Sequence, residues 1–191
     1  MVDAGRGQSD ILATLDRLAL LLMLFVLAAI LTAAMVMQYA FGELPCPLCL
    51  LQRVAMFGVC FGAMRELRDG TSARSTGLSL IFALLLLVVS IRQTLLDIVP
   101  RPGHEYVGSA VFGLHMPVWS VIIALAVLLG FATKLALLGG PHAMPAREGL
   151  LMRRAGQALG AYVILICAIN FASVIVQCGV GQCHTTSYKL L

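Results

Sequence analysis

The stretch LPCPLCLLQR, from Leu44 to Arg53, stands at the mouth of an apolar segment of the chain. It places Cys46 and Cys49 at a spacing that can close a small, reactive disulfide ring. Proline is well tolerated at the first helical position, where its missing N–H has no partner to lose, so we expect a helix to begin at Pro47. In the first turn of that helix, unpaired N–H groups and the positive end of the helix dipole favour a thiolate at Cys49.

Arg53 follows Cys49 by four residues and therefore lies on the same helical face. From there it can hold an anionic sulfur or an acceptor oxygen beside it. An arginine at the centre of a bilayer costs roughly 2.5–3.5 kcal/mol, which makes Arg53 a functional candidate. In the alternative interpretation, the two cysteines are small apolar packing residues and Arg53 is an interfacial anchor with its charge in water.

The composition around this stretch is that of an integral membrane protein. The 191 residues are 60% hydrophobic and 12% charged, with a mean hydropathy of +0.97. A soluble domain of this size has too little interior to hide so much apolar surface. The net charge of +4 is distributed by membrane side, so we predict no nucleic-acid partner.

The hydropathy pattern predicts an all-α membrane protein that forms one integral membrane domain over residues 1–191. The expected spans lie at about 18–40, 48–64, 78–98, 118–138 and 155–177. Polar segments or segments containing proline and glycine separate them.

The distribution of basic residues predicts the orientation of these spans. With the N-terminus inside, the inner segments hold nine of the thirteen Lys and Arg residues: Arg6, Arg17, Arg65, Arg68, Arg74, Lys134, Arg147, Arg153 and Arg154. This bias matches the positive-inside rule and, with five spans, places the C-terminus outside.

The same orientation separates the six cysteines into two groups. Four fall on the outer, oxidising side: Cys46, Cys49, Cys178 and Cys183. Cys60 and Cys167 fall within the bilayer, where a free thiol usually acts as a small apolar side chain, and we assign them no chemistry.

The fifth predicted span carries three polar residues on one face, Asn170, Ser173 and Gln177. We interpret them as interhelical hydrogen-bonding groups rather than catalytic ones. Gly156 and Gly160 form a G-x-x-x-G pattern, which permits close packing against another helix.

Three motifs together resemble the disulfide bond formation protein B (DsbB) family. They are CPLCLLQR at 46–53, RQT at 92–94 and GLHMPVW at 113–119. They occur in the family's order, and the resemblance covers about residues 18–138.

The resemblance implies a four-helix transmembrane bundle, here followed by a fifth C-terminal helix, in the bacterial inner membrane. It implies a quinone-reducing protein-disulfide oxidoreductase that reoxidises a periplasmic, thioredoxin-fold partner of the DsbA type. Electrons would pass to a membrane quinone, either ubiquinone or menaquinone. By motif, Cys46 would exchange with the thiol partner, Cys49 would face the quinone and Arg53 would hold it.

The resemblance also marks the end of the third span as part of the quinone pocket, where the family often has a histidine. Gln93 takes that position here, so it can donate a hydrogen bond to a carbonyl but cannot carry a charge. We include the neighbouring Arg92 among the candidate quinone-binding residues.

One departure from the family concerns its second cysteine pair, which normally lies between the third and fourth spans. Residues 99–117 contain no cysteine, whereas the C-terminal tail offers Cys178 and Cys183 on the same side of the membrane. We interpret this tail pair as a relocated shuttle disulfide, and flexible glycines between the two cysteines suit that role. A structural disulfide that staples a short tail is the alternative.

Two other functions remain open on sequence grounds. A vitamin K epoxide reductase-like oxidoreductase would use the same electron flow, but its Cys-x-x-Cys lies late in the helical order. A non-enzymatic membrane protein could hold a soft metal with the four outer cysteines and His184. No relay of acidic or histidine residues crosses the membrane, which argues against metal transport. We predict no metal site.

Overall fold

The computed structural model describes residues 2–99, 112–138 and 150–179, with side chains described over 11–99, 112–137 and 150–179. In this part of the chain there are five helices: α1 (Val2–Ala40), α2 (Pro47–Asp69), α3 (Ala73–Ile98), α4 (Met116–Leu138) and α5 (Leu150–Cys178). Each contains a segment long and apolar enough to cross a membrane. The predicted all-α membrane fold with a fifth C-terminal helix is confirmed.

The helices extend beyond the predicted spans mainly at the end of the bundle that the basic residues predict to face inward, hereafter the inner end. α2 begins at Pro47, as predicted, but continues to Asp69. α3 begins at Ala73 and α5 at Leu150, each about five residues earlier than expected. Hydropathy underestimates these ends because it treats a polar residue such as Glu66 as a boundary, whereas Glu66 is buried inside the bundle.

Helix α2 lies at the centre of the bundle and packs against α1, α3 and α5. α3 also packs against α4, and α1 packs against α5, whereas α1 and α4 touch only slightly. The apolar core runs along α2 and its neighbours and includes Leu24, Leu27, Val59 and Leu86, all of which are buried.

Two glycines allow α2 to approach α3 more closely than any other residue would. A Cβ atom on Gly62 would lie 2.1 Å from Ser79 Oγ and 2.9 Å from the backbone oxygen of Ser75. A Cβ atom on Gly58 would lie 2.1 Å from the Phe82 ring. Real Cβ atoms do not approach other atoms so closely, so α2 and α3 form the tightest contact described in the bundle.

The predicted G-x-x-x-G pattern on α5 makes looser contacts. A Cβ atom on Gly160 would lie 3.3 Å from the Met64 sulfur of α2, and one on Gly156 would lie 3.6 Å from Leu21 of α1. α5 therefore packs on α1 and α2 through small residues at its inner half, without the interlocking seen between α2 and α3.

A buried ionic cluster joins four helices at the inner end of the bundle. Lys134 of α4 lies 3.0 Å from Asp16 of α1 and also pairs with Glu66 of α2. Thr76 of α3 donates its hydroxyl hydrogen to the second oxygen of Glu66. The cluster holds the inner ends of α1 to α4 together, with one ammonium group shared between two carboxylates.

Candidate active site

The two cysteines of the Cys-x-x-Cys motif lie at the outer start of α2. Cys46 is the N-cap residue, with extended backbone angles, and Pro47 occupies the first helical position. The Cys46 sulfur accepts a hydrogen bond from the Cys49 backbone N–H at 3.1 Å. The sulfur therefore replaces the oxygen that usually caps a helix, and it satisfies one of the unpaired N–H groups.

Gln93 of α3 contacts both thiols. Its side-chain nitrogen lies 3.3 Å from the Cys49 sulfur and 3.6 Å from the Cys46 sulfur, and both thiols are free in this structure. Its side-chain oxygen accepts a hydrogen bond from Gln52 at 2.9 Å. The family resemblance predicts a quinone-binding role for Gln93, and the structure shows that its side chain contacts both thiols.

Gln52 links this end of α2 to α3 and α4. Besides Gln93, its side-chain nitrogen donates to Ser90 Oγ at 3.2 Å. Its oxygen accepts from the Ser120 hydroxyl of α4 at 3.4 Å. The buried amide therefore fixes the position of Gln93 under the two sulfurs.

Arg53, the next residue, points toward the opposite side of the bundle. Its Nη1 donates to Gln38 Oε1 at 2.8 Å and to Asn170 Oδ1 at 3.0 Å. The same nitrogen lies 3.3 Å from the Met35 sulfur, and Nη2 donates to the Ala34 carbonyl at 3.1 Å. These contacts hold the guanidinium group between α1 and α5, and it is only 8% exposed.

The predicted polar face of α5 makes the interhelical hydrogen bonds expected of it. Asn170 accepts from Arg53, and Ser173 Oγ accepts from the side-chain nitrogen of Gln38 at 2.7 Å. Gln177 donates to the backbone oxygen of Pro45 at 3.0 Å. Three residues on one helical face therefore connect α5 to α1, to α2 and to the loop before Cys46.

A cavity of about 580 Å³ opens beside the thiol pair. Its lining is mostly apolar, and its polar lining residues include Gln52, Arg53 and Gln93. Of the two thiols at the start of α2, Cys49 lines the cavity and Cys46 does not. A cavity of this size and character is typical of a small-molecule site, and it gives the two cysteines different surroundings.

The environment of Cys46 raises the pKa of its thiol above the ordinary value. The first cause is the hydrogen bond that the Cys46 thiol makes with the Cys49 sulfur, which favours the protonated form. Burial of Cys46 and repulsion from a charged Cys49 act in the same direction. In an exchange reaction, a thiol with a high pKa is the poorer leaving group, so attack on Cys46 with departure of Cys49 is favoured over the reverse.

The other predicted site residues differ in whether the structure describes them and in whether they line the cavity. Cys178 ends α5 and is disulfide-bonded, whereas Cys183, its expected partner, lies outside the described residues. Arg92 is exposed and is not among the described lining residues of the cavity. Cys60 and Cys167 are free thiols within α2 and α5.

Two residues of the site were not identified from sequence. Gln52 was read only as part of the motif, although an amide inside an apolar span is a signal for a buried hydrogen-bond network. Trp119 was likewise noted only as part of a motif, and in the structure it lines the cavity. Within the described residues, no group of three or more histidine, cysteine or acidic side chains is arranged to hold a metal ion.

Comparison with known proteins agrees with the motifs. Residues 16–106 match the family model described as disulfide bond formation protein DsbB. The match covers just under half of the chain, from α1 through α3, and includes both cysteines of the motif. No curated protein and no solved structure matches the chain significantly. From α1 through α3, the chain is therefore similar to the DsbB family of membrane disulfide-bond formation proteins.

Proposed function

We propose that this protein is a quinone-dependent thiol oxidase that reoxidises a periplasmic dithiol protein of the DsbA type. The observation that carries the proposal is the asymmetric placement of the two thiols. Cys49 lines the apolar cavity, whereas Cys46 caps the helix outside it. One cysteine thus faces a membrane-soluble acceptor while the other faces a thiol partner.

The residues of the cavity fit a quinone head group. Its lining is apolar, as a flat, weakly polar ring requires, and it includes the aromatic side chain of Trp119. Arg53 and Gln93 supply N–H donors at the wall, and such donors suit the carbonyl oxygens of a quinone. When bound there, a quinone supplies a two-electron acceptor that leaves as the quinol.

The two cysteines of the motif then have separate roles. An incoming thiolate attacks the Cys46 sulfur of the Cys46–Cys49 disulfide, the S–S bond breaks, and Cys49 leaves. The positive end of α2 receives the Cys49 sulfur, and Gln93 donates a hydrogen bond to it. A second exchange releases Cys46, so each turnover takes two electrons and two protons from one partner dithiol.

The tail cysteines supply the intermediate step in this proposal. The partner's thiolate attacks the disulfide of Cys178, and the freed tail thiolate attacks Cys46. Gln177 donates a hydrogen bond to the carbonyl of Pro45. Cys178 follows Gln177 and Cys46 follows Pro45, so the two cysteines start from neighbouring backbone segments. Cys183 lies five positions after Cys178, which allows a reach of about 17 Å when extended.

The orientation proposed from the basic residues places this chemistry on the periplasmic side of the bacterial inner membrane. A reporter enzyme that is active only in the periplasm, fused after Leu191, should then be active. Activity of a cytoplasmic reporter at the same position would contradict the orientation and the tail exchange together.

Stepwise removal of the cysteines tests the electron path. The purified Cys178→Ala/Cys183→Ala variant should fail to oxidise a DsbA-type partner but still reduce ubiquinone with a small dithiol as donor. Cys49→Ser should stop quinone reduction with either donor and should accumulate a mixed disulfide at Cys46, visible after acid trapping.

Two outcomes would contradict parts of this scheme. Oxidation of the partner at the normal rate by the double tail variant would make the tail disulfide a structural staple and Cys46 the direct target. Undiminished quinone reduction by Cys49→Ser would remove Cys49 from the reaction.

A further inference from the structure

We infer that α5 positions both halves of the candidate active site: Asn170 holds the guanidinium of Arg53 at the cavity wall, and Gln177 holds the loop that carries Cys46. This role of α5 rests on the proposed function, and its residues contact the candidate active site from outside the Cys-x-x-Cys motif. α5 lies beyond the stretch that matches the family model.

α5 fixes the orientation of Arg53. Two amide oxygens, from Asn170 and Gln38, accept from the same guanidinium nitrogen at 3.0 and 2.8 Å. Gln38 is itself fixed by its bond to Ser173, so both acceptors depend on α5. Together these two acceptors hold the guanidinium in one orientation. Arg53 therefore lines the cavity with its guanidinium at a fixed position.

α5 also anchors the loop before α2. Pro45 and Pro47 flank Cys46, and neither has a backbone N–H with which to hold the loop. Gln177, which is fully buried, instead anchors the loop from α5 by donating to the Pro45 carbonyl. Cys178 follows immediately and is disulfide-bonded. One side chain therefore ties the end of α5, with its disulfide, to the segment that presents Cys46.

Binding of a quinone can be measured without turnover because Trp119, the single tryptophan of the chain, lines the same cavity as Arg53. Decylubiquinone should quench its fluorescence on binding. Asn170→Leu should raise the Kd from this titration roughly tenfold, the size expected for one charge-assisted hydrogen bond. Asn170→Asp keeps an acceptor oxygen and should bind within about threefold of the wild type, a rescue that loss of packing alone does not predict.

Gln177 should affect exchange rather than quinone binding. Gln177→Leu should leave the Kd for decylubiquinone within about twofold, because Gln177 does not line the cavity. Gln177→Leu should instead slow reduction of the Cys46–Cys49 disulfide by the tail thiols about tenfold, because one buried hydrogen bond is lost. Acid trapping follows this reduction. Phe171→Leu, on the lipid-facing side of the same helix, is the matched control and should change neither quantity.

The outcomes separate this inference from the proposed function. If the wild type shows no quenching by decylubiquinone and no quinone reduction, the proposed function fails. If the wild type binds but Asn170→Leu and Gln177→Leu both behave like Phe171→Leu, the positioning role of α5 is overturned. Should Asn170→Leu not fold in detergent, Asn170→Ser against Asn170→Asp gives the same comparison.

Discussion

The two ends of the bundle hold their buried polar groups by different means. At the inner end, Lys134 pairs directly with both Asp16 and Glu66. At the outer end, neutral amides such as Gln52 and Gln38 make most of the described contacts, and a cavity adjoins them. Buried ion pairs therefore connect the helices at the inner end, whereas amides connect them beside a cavity at the outer end.

Because of this difference, we expect the inner end to contribute mainly to stability and the outer end mainly to reactivity. Paired charges need direct contact with each other to offset their loss of water, and the side chains of the inner cluster are accordingly buried against one another. An amide offers a donor and an acceptor and can bridge two helices while the reactive group beside it stays accessible. Variants at the two ends should accordingly differ in kind: those at the inner end should unfold the protein, and those at the outer end should alter its chemistry.

The largest effect is expected from Lys134→Met. The change leaves Asp16 and Glu66 buried together without a cation, and breaking a buried ion pair in this way costs about 3–5 kcal/mol. The free energy of unfolding, measured by denaturant titration in detergent, should fall by that amount.

A triple variant provides the control for this prediction. Asp16→Asn, Glu66→Gln and Lys134→Met together remove every charge of the cluster and should recover most of the lost stability. If Lys134→Met alone unfolds like the wild type, the inner cluster does not stabilise the bundle.

A smaller effect on stability, with a change in chemistry, is expected from Gln93→Leu. Gln52 loses one of its acceptors but keeps Ser90, so the free energy of unfolding should fall by only about 1 kcal/mol. The Cys49 sulfur loses a hydrogen-bond donor, so quinone reduction with a small dithiol should slow about tenfold. Leu95→Ala, an exposed position on the same helix, should leave the rate unchanged. A rate for Gln93→Leu equal to that of this control would exclude a role of Gln93 at the thiols.

The smallest perturbation concerns the protonation of Cys46. Its pKa is raised first by the hydrogen bond with Cys49, so less of the reactive thiolate is present near pH 8 than in an ordinary thiol. Cys49→Ala removes that cause and the repulsion, and the pKa of Cys46 should fall toward its usual range. Alkylation by iodoacetamide at pH 8, resolved at Cys46 by mass spectrometry, should accelerate about threefold for each unit of the fall, because the thiolate fraction rises while each thiolate becomes less nucleophilic. An unchanged or slower rate would show that Cys49 does not control the thiol.

Local features of the fold were predictable because each depends on neighbouring residues. The start of α2 follows from Pro47 and the N-cap position of Cys46, both of which lie within one turn. The hydrogen-bonding face of α5 follows from helical spacing, which places Asn170, Ser173 and Gln177 in one row. The family resemblance added the functional assignment of the motif, and the family match contains that motif.

Contacts between distant residues were not predictable from one sequence. Gln52 and Arg53 are neighbours in the chain, yet one bonds to α3 and α4 and the other to α1 and α5. No local pattern indicates which helix lies on which side of α2. Likewise, Glu66 and Lys134 are 68 residues apart, and only the packed bundle brings them together. The role of Arg92 and the partner of Cys178 remain predictions.

The contact of α2 with α3 through Gly58 and Gly62 determines how the cavity can admit a large molecule. Because these helices interlock without space for a single Cβ atom, we expect them to stay together when the bundle flexes. α1 and α4, which supply much of the remaining lining, touch each other only slightly. We therefore expect a lipid-soluble molecule to enter the cavity sideways from the bilayer, between α1 and α4.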